Sequence, residues 1–199
     1  MASLKIVVIT GGGSRHSSSA LMGERLRGAV EEELRRLCQD SAGAAEALGE
    51  AEVKVTTHHL GQFAYELADF ISDGFAPDTL ASVLEDVRSA DGLIVVTPVF
   101  KASYSGLFKL FWDVTEQGDI AGTPTALAVV GGTWRHSLVL DRDLRPLFGY
   151  LGAASVSRGV FATPAELTGS GAETERVDAR IGRVGAELAR AVAAGKMSL

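Results

Sequence analysis

The chain has 199 residues, of which 46% are hydrophobic and 22% are charged, and its net charge is −6. This length and apolar content fit one α/β domain and exclude a disordered, collagen-like or coiled-coil protein. The acidic balance argues against a nucleic-acid binder, and no apolar run approaches the ~20 residues that cross a bilayer. The single cysteine, Cys38, has no partner for an internal disulfide, which favours a reducing compartment. We therefore expect a cytoplasmic protein that binds neither nucleic acid nor membrane.

Apolar runs of strand length alternate along the chain with longer segments of helical period. Residues 4–9 form the first predicted strand, and a helix is predicted over 18–37 because apolar residues recur there at spacings of three and four. A polar, alanine-rich connection, residues 40–50, leads to a second predicted strand at 52–58. The aromatic stretch that follows, residues 63–75, is predicted to be irregular and to end at Pro77.

The alternation continues to the end of the chain. Helices are predicted at 78–88, 105–116, 138–151 and 173–196, and strands at 92–97, 125–130 and 154–161. Five such units predict one domain over residues 1–199, an α/β fold with a doubly wound, five-stranded parallel sheet and helices on both faces. The common strand order 2-1-3-4-5 places a ligand site beyond the carboxyl ends of strands one and three.

The first loop at that edge, residues 11–19, reads Gly-Gly-Gly-Ser-Arg-His-Ser-Ser-Ser. Glycine permits a tight turn, and serine hydroxyls with the free amides of a helix start can surround a phosphate. The loop is neither a Walker A motif nor a dinucleotide fingerprint, since His16 occupies the position of the third glycine. Two interpretations stay open: a metal-free site for a monophosphate ester, or a serine-rich turn in which Ser17 or Ser18 is the N-cap.

Two further loops are predicted at the same edge of the sheet. Residues 98–106 begin with a proline directly after a strand and offer Phe100 and Tyr104 as flat surfaces. Residues 131–136 bring another backbone to the same crevice. A phosphate cup beside a flat, partly aromatic slot has the outline of FMN, which is therefore the predicted ligand.

Residues 97–106, Thr-Pro-Val-Phe-Lys-Ala-Ser-Tyr-Ser-Gly, resemble the Thr-Pro-Val-Tyr-Lys-Ala-Ser-Phe-Ser-Gly motif of the NADPH-dependent FMN reductase family, which has the flavodoxin-like fold. The first loop resembles the Ser-x-x-Ser-Ser-Thr phosphate pattern of that family, although His16 stands where a proline is common. Residues 131–133, 135–138 and 144–147 also resemble this family, and the resemblance covers nearly the whole chain. It is strongest to the flavin reductases of two-component monooxygenase systems.

The resemblance implies an NAD(P)H:FMN oxidoreductase that uses FMN with NADPH or NADH and supplies reduced flavin to a flavin-dependent monooxygenase. It also implies a homodimer or homotetramer with the flavin near a subunit interface. Because the flavin itself performs the hydride chemistry, no catalytic acid or base and no metal is expected. The implied cofactor-binding residues are Ser14, Arg15, Ser17, Ser18 and Ser19 at the phosphate, Pro98, Val99, Phe100, Lys101, Ala102, Ser103 and Tyr104 at the ribityl chain and isoalloxazine, and Gly131, Gly132 and Thr133 at the pyrimidine end.

Two alternative functions use the same fold: a flavodoxin-type electron carrier, and an NAD(P)H:quinone or azo reductase. Carriers of that type lack the Lys-Ala-Ser-x-Ser-Gly loop, so the sequence favours the reductase. His58 and His59 have no third ligand at a recognisable spacing, which favours a structural role over a metal site. For Arg135 and His136, contact with the nicotinamide nucleotide stays open beside a surface or packing role.

Overall fold

The computed structural model describes residues 3–40 and 52–197. Five strands form one parallel sheet in the order β2-β1-β3-β5-β6: β1 (Ser3–Thr10), β2 (Glu52–His59), β3 (Gly92–Phe100), β5 (Pro124–Val130) and β6 (Ala154–Ala162). A two-residue strand, β4 (Ser103–Tyr104), pairs antiparallel with the end of β3 inside the second predicted loop. When the five parallel strands are numbered without β4, their order is the predicted 2-1-3-4-5, so the flavodoxin-like fold class is confirmed. The sheet has one short strand, β4, more than expected.

Helices cover both faces of the sheet. One face carries α1, α6 and α7, and the other carries α2 to α5. Their bounds are α1 (Ser18–Asp40), α2 (Ala64–Asp73), α3 (Asp78–Arg88), α4 (Gly106–Asp113), α5 (Arg145–Tyr150), α6 (Pro164–Thr168) and α7 (Ala172–Met197). Within the described residues, no helix combines the length and the apolar character that crossing a bilayer requires.

The central strands are apolar on both sides because each side packs under helices. In β1, Ile6 and Val8 face α1 and α7, whereas Val7 and Ile9 face the opposite helices, and all four are fully buried. Burying a side chain of this size stabilises the fold by roughly 1.5–3 kcal/mol. The continuous apolar run that predicted a covered parallel strand therefore fills two cores at once.

The aromatic stretch between β2 and α3 is helical, so the prediction of irregular structure was wrong. Residues Leu60–Phe63 form a 3-10 turn that leads into α2. Leu67 and Phe70 lie on its inner face, and Gly74 ends the helix with a left-handed φ of 72°. Tyr65 and Ile71 are exposed apolar residues on other sides of α2. Because of them, the sequence pattern does not show a single apolar face.

The predicted helix at 138–151 is divided into a π-helical turn, Leu140–Leu144, and α5. The amide of Arg145 donates to the carbonyl of Leu140, five residues earlier, and Pro146 follows with no amide hydrogen to offer. The predicted helix at 105–116, which is α4 in the structure, ends earlier, at Asp113. Residues 41–51, which contain most of the predicted alanine-rich connection, lie outside the described residues.

A cluster of charged side chains joins β1, β2 and α3. The carboxylate of Asp86 lies 2.8 Å from the Nζ of Lys5 and 2.8 Å from the Nε2 of His58. Burial opposes ionisation of Asp86, but the hydrogen bonds from Lys5 and His58 outweigh it and hold the pKa of Asp86 below its usual value.

We expect Asp86→Asn to lower the thermal stability at neutral pH and to flatten its dependence on acid. A carboxyl whose pKa is lowered on folding stabilises the fold above its unfolded pKa, and this contribution is lost as the pH falls through the folded pKa. Thermal unfolding measured from about pH 7 to about pH 3 should therefore show a steeper loss for the wild type than for the variant. Parallel curves would contradict the ion-pair role of Asp86.

Candidate functional site

The three predicted loops meet at the carboxyl edge of the sheet. The amide of Gly11 donates to the carbonyl of Val96 at 2.8 Å, which joins the first loop to β3. The amide of Gly131 donates to the carbonyl of Ala162 at 3.1 Å and joins the third loop to β6. A cavity of about 250 Å³ opens between the loops and is lined by Gly12, Gly13, Ser17, Ser18, Ser19, Pro98, Val99, Phe100, Val130, Gly132 and Pro164.

The serine loop carries both a helix cap and groups of the kind that can bind an anion. Ser17 is the N-cap of α1, because its Oγ accepts a hydrogen bond from the amide of Ala20 at 3.2 Å. A hydroxyl that accepts this bond still has its own hydrogen to donate. The amides of Ser18 and Ser19 open the helix, where intrahelical acceptors are lacking and the helix dipole is positive. The cap and the phosphate cup are therefore compatible in one loop.

Two glycines allow the backbone of this loop to pack closely. A Cβ on Gly12 would collide with the Oγ of Ser17, and a Cβ on Gly61 would collide with the backbone carbonyl of Gly13. Gly61 is the second residue after β2, so the segment that follows β2 packs against the serine loop. Sequence reasoning missed Gly61, whose only signal is its place at the carboxyl edge.

The second loop is a hairpin with a strained turn. Phe100 pairs with Ser103 across a two-residue loop, Lys101 and Ala102, whose φ values are 52° and 69°. Glycine or asparagine usually fills such positions, and a side chain there costs roughly 1–2 kcal/mol. The hairpin presents Phe100, whose exposed fraction is 60%, beside the cavity. The strain thus lies in the segment expected at the isoalloxazine.

Ser105 ties the first loop to the second and is a site residue that the sequence reasoning missed. Its Oγ donates to the carbonyl of Gly11 at 2.9 Å and accepts from the amide of Phe108 at 3.2 Å, which makes it the N-cap of α4. Its own amide donates to the Oγ1 of Thr97 at 3.1 Å. Ser105 is 2% exposed, so each of these bonds is shielded from water.

We expect Ser105→Ala to lower the free energy of unfolding by about 1–3 kcal/mol and to weaken FMN binding. The substitution leaves the buried amide of Phe108 without its acceptor and the carbonyl of Gly11 without its donor. Denaturant unfolding and a flavin titration measure the two effects. Ser82→Ala is the matched control, since the Ser82 hydroxyl is exposed and donates to the Asp78 carbonyl of its own helix. Equal stability losses in the two variants would contradict the bridging role.

Residues of the third loop line two different cavities. Gly131 is buried against Phe161, and only Gly132 of the predicted triplet lines the 250 Å³ cavity. Arg135 and His136 line a smaller cavity of about 170 Å³ together with Ala102. The Nδ1 of His136 is buried and has no hydrogen-bond partner among the described residues. The predicted residues that do not line the larger cavity are Ser14, Arg15, Lys101, Ala102, Ser103, Tyr104, Gly131 and Thr133.

The paired histidines after β2 have separate partners. The Nδ1 of His59 lies 2.8 Å from the Oγ1 of Thr10, and burial lowers the pKa of His59. His58 contacts Asp86 instead. In residues 3–40 and 52–197, no three His, Cys, Asp or Glu side chains are arranged to hold a metal ion. His59 therefore has a structural contact with the first strand, through Thr10.

The arrangement suits a flavin mononucleotide. Hydroxyls and helix-start amides at the serine loop are groups that bind a phosphate without a metal. The exposed ring of Phe100 offers a flat apolar surface in the lining of the same cavity. Gly12 and Gly13, which line the same cavity, let a ligand approach the backbone closely.

Comparisons with known proteins agree with this chemistry. The family model of the NADPH-dependent FMN reductases matches residues 4–168. An NADH-dependent FMN reductase of Pseudomonas putida, SfnE, is 34% identical over 186 residues, 94% of this chain and 90% of the relative. An FMN reductase (NADPH) of Pseudomonas aeruginosa is 39% identical over 140 residues, 70% of this chain and 75% of the relative.

A solved oxidoreductase structure from Corynebacterium diphtheriae superposes with a TM-score of 0.83 at 34% identity, over 96% of this chain and 98% of that one. These matches confirm the predicted family, the oxidoreductase class, and FMN with a nicotinamide nucleotide as the cofactors. The chain belongs to the NADPH-dependent FMN reductase family.

Proposed function

We propose that the chain binds FMN between the serine loop and the β3–β4 hairpin and transfers a hydride to it from NADPH or NADH. The observation that carries this proposal is the 250 Å³ cavity, which unites Ser17, Ser18 and Ser19 with Pro98 and Phe100. One domain carries both nucleotides in this proposal, so they share the carboxyl edge of a single sheet.

The residues of the site bind and orient rather than exchange protons. Ser17, Ser18 and Ser19 hold the phosphate through hydroxyls and helix-start amides. Pro98 and Phe100 border the ribityl chain and the isoalloxazine ring. The other cofactor-binding residues predicted from the sequence surround the flavin. When bound, FMN supplies the hydride acceptor, so the chain itself needs no acid or base for this step.

We further propose that reduced FMN leaves the site and supplies a flavin-dependent monooxygenase in the cytoplasm. The cavity is smaller than the roughly 300–1,000 Å³ of pockets that enclose a whole ligand, which supports an open, exchangeable site. Cys38, the single thiol, fits a reducing compartment. Anaerobic ultrafiltration after reduction should pass FMN into the filtrate, and retention of reduced flavin with the protein would contradict release.

A homodimer or homotetramer is the assembly that we propose. Large apolar side chains stay exposed near the site and on the α2 and α5 face, among them Phe100, Trp134, Tyr65 and Tyr150. Such surfaces are typical of protein interfaces. Light scattering should give two or four times the mass of one chain, and the mass of a single chain would contradict the assembly.

The proposed activity is tested by following the oxidation of NADPH and of NADH with FMN, FAD, riboflavin and a quinone in turn. We expect FMN to give the highest kcat/KM. Absence of nucleotide oxidation with every flavin would overturn the proposal, and with tight FMN retention it would indicate an electron carrier. A higher kcat/KM with the quinone would indicate a quinone reductase on the same fold.

A further inference from the structure

A second cavity, of about 620 Å³, lies next to the proposed flavin site. We call it the arginine cleft, because three arginines of α7 line it together with Trp134 and Thr163. The arginines are Arg176, Arg180 and Arg183. Their spacings of four and three place them on one side of the helix.

The arginine cleft adjoins the flavin cavity through two short backbone connections. Thr163 lines the cleft and the next residue, Pro164, lines the flavin cavity. Trp134 lines the cleft and Gly132, two residues earlier, lines the flavin cavity. A ligand held in one cavity therefore lies beside the other.

The positive charge of the cleft is poorly neutralised. Arg176 and Arg183 form no ion pair with any carboxylate of residues 3–40 and 52–197, although Glu173 also lines the cavity. Glu166 accepts hydrogen bonds from the amide and the hydroxyl of Thr163, at 2.8 Å and 2.9 Å, and its contact with Arg180 is longer, at 3.4 Å. Like charges at helical spacing destabilise a helix, so stability of α7 does not account for this cluster.

An aromatic surface completes the cleft. The Trp134 side chain is 49% exposed, and the guanidinium carbon of Arg180 lies 5.0 Å from the centre of its ring. The half-exposed indole offers a stacking surface for a purine, and the guanidinium groups beside it offer charged donors for the phosphates. Arg180 is held between Trp134 and Glu166. The Nε of Arg176 donates to the carbonyl of Ala172 at 3.1 Å, so its terminal nitrogens, together with the guanidinium of Arg183, keep donors for a ligand.

We propose that the arginine cleft binds the adenosine-phosphate end of the nicotinamide nucleotide. This inference rests on the proposed function, because it assigns the distal half of the hydride donor that the flavin site requires. In a chain of net charge −6, a local cluster of cations is needed to attract an anionic nucleotide. Arg176 and Arg183 bind the phosphates, and Trp134 stacks on the adenine.

The test is the affinity of the flavin-free protein for ADP, for adenosine 2′,5′-bisphosphate and for pyrophosphate, measured by calorimetry at low salt. We expect the Arg176→Ala/Arg183→Ala double variant to bind both adenosine phosphates at least about tenfold more weakly than the wild type. Trp134→Leu should weaken binding of ADP and leave binding of pyrophosphate unchanged. Arg35→Ala is the matched control, since Arg35 is an exposed helix arginine that pairs with Glu32 on α1, away from the cleft.

Steady-state kinetics separate this inference from the proposed function. The double variant should raise the KM for the nicotinamide nucleotide and leave the KM for FMN unchanged, and Arg35→Ala should change neither. Wild-type affinity for ADP in the double variant, in a protein that still reduces FMN, would overturn the cleft and leave the reductase intact. The opposite result is also informative. If the double variant loses ADP binding but the wild type oxidises no nicotinamide nucleotide, the proposed reductase function is overturned and the cleft is not.

Discussion

Ser17→Asp should weaken FMN binding by at least about a hundredfold while α1 keeps its cap. Aspartate is as good an N-cap as serine, so the bond to the Ala20 amide survives. The new carboxylate lies in the cavity that we assign to the phosphate, and two like charges about 4 Å apart repel by roughly 4 kcal/mol at an effective dielectric of about 20. Flavin fluorescence titration measures the affinity, and far-ultraviolet circular dichroism checks the fold.

Ser17→Asn is the matched control for this experiment, because asparagine also caps a helix but carries no charge. Its FMN affinity should stay within about tenfold of the wild type. Riboflavin, which has no phosphate, should bind the aspartate variant and the wild type alike. Wild-type FMN affinity in Ser17→Asp would show that the phosphate lies elsewhere.

Gly61→Ala should disturb the serine loop from behind and produce the second large effect. The added methyl would collide with the carbonyl group of Gly13, which is backbone and has no rotamer to yield. We expect a loss of about 1–3 kcal/mol in the free energy of unfolding, the usual cost of overpacking. The displaced Gly13 should also lower FMN affinity by at least about tenfold, since a 1 kcal/mol change already alters an equilibrium several-fold.

Gly28→Ala provides the matched control, since the same methyl group at Gly28 of α1 would have no atom within 4 Å. Replacing an exposed helix glycine with alanine is expected to stabilise the protein by about 0.5–1 kcal/mol. The FMN affinity of this control should equal that of the wild type. If Gly61→Ala behaves like Gly28→Ala, the segment after β2 does not support the phosphate loop.

The sheet was predictable because its order follows from alternation and from apolar runs long enough to be buried on both sides, as in β1 and β3. Two local features were not. Helix α2 places aromatic and aliphatic residues on exposed positions such as Tyr65, which masks its period. In the turn of the β3–β4 hairpin, Lys101 and Ala102 adopt the left-handed conformation that glycine usually adopts. Because neither residue is a glycine, the sequence does not indicate this turn.

The candidate site was predictable at the level of loops and less so at the level of side chains. Glycines and serines after a strand indicate a phosphate loop, and the structure brings Ser17, Ser18 and Ser19 to the same cavity as Phe100. Ser105 and Gly61 act through a hydrogen bond and a close approach to residues distant in sequence. Contacts of that kind depend on tertiary packing, and a single sequence does not contain them.

The proposed hydride transfer is tested most directly by an anaerobic single-turnover experiment. The protein is loaded with FMN, mixed with one equivalent of NADPH or of NADH, and followed by the absorbance of the oxidised flavin. We predict that at least one nucleotide bleaches the bound flavin fully, with a rate that saturates as the nucleotide concentration rises. Flavin that stays oxidised with both nucleotides would contradict the account.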